Sequence, residues 1–217
     1  MTENSINDNI KMPVQTIRII FIFAIVEIIG VIIHAGNMLF IHIGVSLPPP
    51  FPRPLVLDII WILSIILSVL LVKLCRNTKK NGYLISYGDY KKMAYVLTVL
   101  SVVLLVSVPG LPQIIRSTIY LIGCAAWVMS IQNVKQPILR KYISIGRAAI
   151  LALLVFLFAI QILPLIELHR LLVAASISIS LFLIFLLAVD LLIAYFLPTS
   201  ILKCVEKSIS RSSVESQ

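Results

Sequence analysis

The sequence predicts an all-α, polytopic integral membrane protein, a bundle of about six transmembrane helices. Three observations predict it. The composition is 60% hydrophobic and only 12% charged over 217 residues, whereas a soluble domain carries about 25% charged residues. The mean hydropathy is correspondingly high, at +1.07. The apolar residues also arrive in long runs rather than alternating with polar ones. Six of those runs reach or approach the ~17–25 residues that cross ~30 Å of hydrocarbon; they cover residues 17–44, 55–75, 93–108, 114–131, 148–166 and 171–197.

Residues 1–16, beginning MTENSINDNI, read as a short cytoplasmic tail. Lys11 and Arg18 resemble the basic flank of a signal peptide. The apolar core that follows is too long for one, holds Glu27 and lacks a small-x-small cleavage site, so it reads as a retained first span. Spans 17–44 and 171–197 exceed what a crossing requires, which predicts tilt or an interfacial extension. Span 93–108 is short and stops at Pro109-Gly110-Leu111-Pro112, which separates it from 114–131. Three outer turns are marked by proline, at 46–54 (SLPPPFPRP), 109–113 (PGLPQ) and 164–170 (PLIELHR). The inner loops, 76–92 and 132–147, are polar and basic, and 198–217 reads as a cytoplasmic tail. Three plus three spans allow an inverted repeat, but the halves share no residue-level similarity.

The net charge is +9. With the N-terminus inside and six crossings, only Arg53, Arg116 and Arg170 of the 18 Lys and Arg fall outside. This positive-inside bias predicts a plasma-membrane protein with both termini cytoplasmic. Topology and attraction to anionic headgroups account for the basic surplus. The expected partners are therefore the lipid bilayer and either further copies of the chain or other subunits of a membrane complex, with no nucleic acid.

The first span contains EIIGVIIHAGNMLFIHIG, residues 27–44. At 100° per residue, Glu27, Gly30, His34, Asn37, Met38 and His42 fall in one sector, among Ile, Val, Leu and Phe elsewhere. An ionised side chain at mid-bilayer costs about 2.5–3.5 kcal/mol on insertion scales, so this stripe must face protein or water. Its glycines are expected to admit a neighbouring helix. Asp58, just after the proline-rich turn, reads as an interfacial or helix N-terminal charge. Asp190 lies well inside the last span and shares a face with Ser176 and Ser180. Counted from the predicted inner ends, Glu27 and Asp190 lie at similar depth, about 10–15 Å in. If adjacent, they would repel when both ionised and would share a proton.

His34 and His42 are about 12 Å apart along the helix, too far to ligate one metal ion, and no H-E-x-x-H occurs, so no metal site is predicted. A single haem b is the one cofactor open to this chain, with His34 or His42 paired to His169 at the start of span six; the alternative is that these histidines are interfacial or hydrogen-bonded. Cys75, Cys124 and Cys204 form no C-x-x-C and read as structural. No G-x-S-x-G, P-loop or dinucleotide fingerprint is present, so a non-enzyme is the favoured reading. Glu167, His169 and Arg170 read as a solvated cap, Arg116 as a side chain snorkelling to headgroups, and the serines of ASISIS (175–180) as helix-packing positions.

Three functions fit. The leading one is ion, proton or small-solute translocation, with Glu27, His34, Asn37, His42 and Asp190 lining the path. The second is a membrane-anchoring subunit of a respiratory or redox complex, holding haem b or quinone near the outer face. The third is a non-catalytic scaffold subunit.

Overall fold

The computed structural model describes the backbone of residues 9–44, 55–107, 110–171 and 177–214, and side chains within 10–33, 59–107, 110–163 and 184–209. The elements are β1 (Asn9–Lys11), α1 (Val14–Gly44), α2 (Leu55–Lys80), β2 (Leu84–Ser86), α3 (Tyr87–Ser107), α4 (Leu111–Ile131), α5 (Gln136–Leu171) and α6 (Ile177–Val214). Each of the six helices contains a stretch long and apolar enough to cross a membrane. The protein is an all-α, multi-pass membrane protein, as its apolar runs predict. Large apolar side chains point outward: Ile32, Ile59, Val155 and Phe185 are 59%, 61%, 70% and 61% exposed. So much contiguous outward apolar surface suits hydrocarbon, not water. Several hydroxyls within the helices close onto their own backbone, as from Ser64 to the Ile60 carbonyl and Thr98 to the Ala94 carbonyl.

The chain forms two compact units, Met1–Ser107 and Val108–Gln217. In the first, α2 packs against both α1 and α3. Ile17, Ile20, Phe23 and Ala24 of α1, Leu67, Leu71 and Cys75 of α2, and Met93, Leu97, Leu100 and Leu104 of α3 are buried. Their three- and four-residue spacing gives each helix one apolar stripe toward its neighbour. The end of α2 is set by Asn81-Gly82. Gly82 takes φ +63, its N–H donates to the Lys79 carbonyl, and the Tyr83 N–H donates to the Thr78 carbonyl at 2.8 Å. This is the paired bonding of a left-handed glycine cap. The chain then pairs Leu84–Ser86 with Asn9–Lys11, antiparallel, with Ile10 opposite Ile85. Ser86 ends the strand and caps α3, its Oγ accepting from the Asp89 N–H at 3.2 Å. This small sheet ties the start of α1 to the connection between α2 and α3, an element that the sequence reading omits.

In the second unit α4, α5 and α6 all touch one another. The α4–α5 connection is a tight turn in which Asn133 adopts φ 51 and the Val134 N–H donates to the Met129 carbonyl. Helix α5 then starts at once, with Pro137 in its first turn, where a missing N–H costs nothing. Helices α4 and α6 approach closely at Gly123, where a Cβ would lie 2.9 Å from the Pro198 Cα. Pro198 removes one backbone donor from α6. The hydroxyls of Thr199 and Ser200 donate to the Tyr195 and Leu197 carbonyls at 2.6 and 3.0 Å, satisfying backbone near that break.

Several expected boundaries move. The loops expected on the inner side are largely helical: α2 continues to Lys80, α3 begins at Tyr87 and α5 at Gln136. Lys, Arg and Tyr there continue helices beyond the apolar run, since basic residues are good helix formers. Residues 164–170 are not an outer turn but the last turns of α5, which also places His169 on α5 and not at the start of span six. Pro198 does not end the last helix. Ile201, Leu202, Val205 and Ile209 beyond it are buried, and this stripe carries α6 through most of the expected tail, to Val214. Residues 46–54 lie outside the described residues.

Candidate functional site

In the second unit one polar side chain from each helix converges on a single point. Arg116 is the sixth residue of α4 and continues the buried stripe of Ile119, Tyr120 and Gly123. Asp190 on α6 continues the stripe of Ala194, Leu197 and Ile201, and Gln161 on α5 stands four residues beyond buried Leu157. The 3.6-residue period that aims the apolar residues into the bundle therefore aims these three as well.

The Arg116 Nη1 donates to Asp190 Oδ1, and its Nη2 donates to Gln113 Oε1, one turn earlier on α4. The Gln161 amide donates to the other oxygen, Asp190 Oδ2, at 3.1 Å. Both carboxylate oxygens are thus engaged, by two different helices. The side chains of Arg116 and Asp190 are only 26% and 18% exposed. Opposite charges at such depth cancel the field that makes either alone so costly in hydrocarbon. Two polar atoms of the cluster stay buried without a partner, the Arg116 Nε–H donor and the Gln161 Oε1 acceptor. Most buried polar groups are satisfied, so a leftover donor and acceptor beside a paired charge can take up a small polar species.

A second ion pair fixes the level of the first. Arg147 on α5 pairs with Glu206 on α6, both half-exposed. Arg147 lies ~21 Å along α5 from Gln161, and Glu206 ~24 Å along α6 from Asp190. Those separations are most of the ~30 Å hydrocarbon thickness, so the two pairs sit toward opposite ends of this unit.

The expected roles of several residues change accordingly. Arg116 does not snorkel to headgroups; it is the counter-ion of Asp190. The depth assigned to Asp190 assumed that α6 ends at Leu197; because the helix runs on, Asp190 stands near the end opposite Glu206. Its charge is balanced by Arg116. Glu27 belongs to the first unit, where it is half-buried. Among the described residues, a Cβ at Gly30, one turn on, would meet nothing within 4 Å. His34, Asn37 and His42 lie along α1 and His169 along α5, but their side chains, like those of Asp58, Glu167 and Ser180, lie outside the described residues, as does Ser176 altogether. The haem expectation rests on those histidines and falls outside with them. Among the described residues no three His, Cys, Asp or Glu side chains cluster as metal ligands. Cys75, Cys124 and Cys204 form no disulfide.

Gln113 and Gln161 are the residues that sequence reading passes over. The signal for Gln161 is present, since it is the one polar side chain in the run 148–166, whereas Gln113 falls in the expected turn 109–113. Comparison with protein-family models, with curated proteins and with solved structures finds no match.

Proposed function

We propose that the protein translocates an ion, proton or small solute across the membrane, and that Arg116, Asp190 and Gln161 form its polar centre. The observation that carries this reading is the unsatisfied pair of atoms, Arg116 Nε and Gln161 Oε1, next to the ion pair. A purely structural clamp gains nothing from leaving a donor and an acceptor unmatched in low dielectric. A transported species gains a ready pair of hydrogen bonds and a carboxylate whose counter-ion can shift. The stripe of Glu27, His34, Asn37 and His42 on α1 belongs to the same proposal on its sequence pattern alone.

The proposed setting is the plasma membrane with both termini cytoplasmic. The uneven distribution of Lys and Arg supports that orientation; the pairing of β1 with β2 suits an even number of crossings between them, whichever side they face. Further copies or partner subunits complete the assembly in this reading. The competing reading is a scaffold subunit, favoured by the full engagement of the Asp190 carboxylate within its own unit. Replacing Gln161 by Leu separates the two. Translocation predicts that proton or cation flux into proteoliposomes falls at least tenfold while the protein keeps its helical spectrum and melting temperature within a few degrees. A scaffold predicts no flux in either protein and a co-purifying partner.

A further inference from the structure

The first unit contains a second feature, unrelated in composition to the Asp190 cluster. A cavity of about 550 Å³ opens between α1 and α2, lined by Ile17, Arg18, Phe21, Ile22, Cys75, Arg76, Lys79, Lys80 and Tyr83. That volume falls within the ~300–1,000 Å³ of small-ligand sites. Its lining is divided along the helix axes. Arg76, Lys79 and Lys80 belong to the last turn and a half of α2, and Arg18 to the second turn of α1. Phe21 and Ile22 lie ~5–6 Å further along α1 than Arg18 and form an apolar floor, with Ile17 and Cys75 as apolar lining at the level of the cations. The mouth is therefore cationic and at a helix end, while the floor is greasy and reaches toward mid-membrane.

All four cations are exposed, and none forms an ion pair with a carboxylate among the described residues. The rim also carries a strained residue. Tyr83 holds φ 65, a left-handed conformation that costs a side-chain-bearing residue ~1–2 kcal/mol. It is locked there by its own N–H to the Thr78 carbonyl and by the Met12 N–H donating to the Tyr83 carbonyl at 3.0 Å. The small sheet thus fixes an amphipathic ring at the edge of the cavity, at the helix-end level where such rings favour the membrane–water boundary.

We propose that this cavity is a binding site for one anionic phospholipid, with its phosphate among Arg18, Arg76, Lys79 and Lys80 and an acyl chain against Ile17, Phe21 and Ile22. Basic pockets between membrane helices recognise such headgroups by charge, and a groove that is apolar below and cationic above matches an amphiphile better than a free anion. The site is independent of the translocation reading.

The test is a titration of the full-length protein in mild detergent with phosphatidylglycerol, with bound lipid counted by native mass spectrometry. One saturable lipid is expected. Neutralising two cations, R76Q with K79Q, should weaken it about twenty-five-fold, at about fivefold per cation, whereas K135Q with K141Q in the second unit removes the same charge and should change it by less than about twofold. Ile22→Trp narrows the apolar floor with every charge in place and should also release the lipid, which keeps the test sound if the charge variant folds poorly. Equal loss in the two charge variants overturns the proposal in favour of diffuse attraction. Equal binding of phosphatidylcholine overturns it in favour of an apolar groove without headgroup selection. Displacement by millimolar inorganic phosphate overturns it in favour of a free anion.

Discussion

Arg116 on α4 and Asp190 on α6 stand 74 residues apart in the chain and form an ion pair inside a three-helix unit. Gln161 of α5 holds the second carboxylate oxygen, so one aspartate joins all three helices. Removing one partner strands a charge, and for buried pairs that costs about 3–5 kcal/mol. With 26% and 18% exposure at the two side chains, the lower end of that range applies. Asp190→Leu is expected to destabilise the protein by about 3 kcal/mol, and the double variant Arg116→Leu/Asp190→Leu by less than about 1 kcal/mol, since it strands nothing. Thermal denaturation in detergent, read as a double-mutant cycle, measures the difference.

The tight approach of α4 and α6 makes a second prediction. A Cβ at Gly123 would lie 2.9 Å from the Pro198 Cα, a backbone atom that cannot rotate away. Gly123→Ala should therefore cost about 1–3 kcal/mol through overpacking. Gly30→Ala, which meets nothing within 4 Å among the described residues, should be neutral or slightly stabilising because alanine favours helix. The two variants compared in one melting experiment test whether glycine matters here by position or by type.

The cap of α2 gives a third. Gly82 holds φ +63, and an alanine there would carry a Cβ into a region that costs ~1–2 kcal/mol. Gly82→Ala should lower stability by about that much and loosen the strand pairing that follows. Amide hydrogen exchange at Leu84–Ser86 should speed up in the variant.

A fourth concerns the sheet itself. Ile10 stands opposite Ile85, and directly opposed Cβ atoms are ~4.5–5.5 Å apart, within reach of a disulfide after small adjustment. In a background lacking Cys75, Cys124 and Cys204, Ile10→Cys with Ile85→Cys should close under mild oxidation, with loss of two free thiols by mass. Ile10→Cys with Leu84→Cys should not, because successive strand residues point to opposite faces.

Much of the architecture is legible in the sequence because hydrocarbon imposes so strict a rule on run length. Each of the six apolar runs falls mainly on its own helix. The helix ends are less legible, since they lie beyond the apolar run and are fixed by local chemistry: Asn81-Gly82 after α2, Asn133 after α4, Pro137 at the start of α5. Pro198 misleads for a specific reason. A proline after a long apolar run reads as a terminator, yet the buried spacing of Ile201, Val205 and Ile209 continues past it, and Gly123 supplies room for it. Asp190 stood out as a carboxylate in a greasy span. Its partner did not, because nothing local ties residue 116 to residue 190; only the short connections that bring α4, α5 and α6 together do so.

The most direct test of the Arg116–Asp190 centre is proton flux into liposomes, read with an entrapped pH dye under an imposed potential. The wild-type protein is compared with Arg116→Leu/Asp190→Leu after both are shown to be folded. Translocation through this centre predicts flux above empty liposomes for the wild type and a return to that background in the double variant. Flux that survives in the folded double variant, or a wild type indistinguishable from empty liposomes with protons and with monovalent cations alike, would contradict it and leave the ion pair as a brace among three helices.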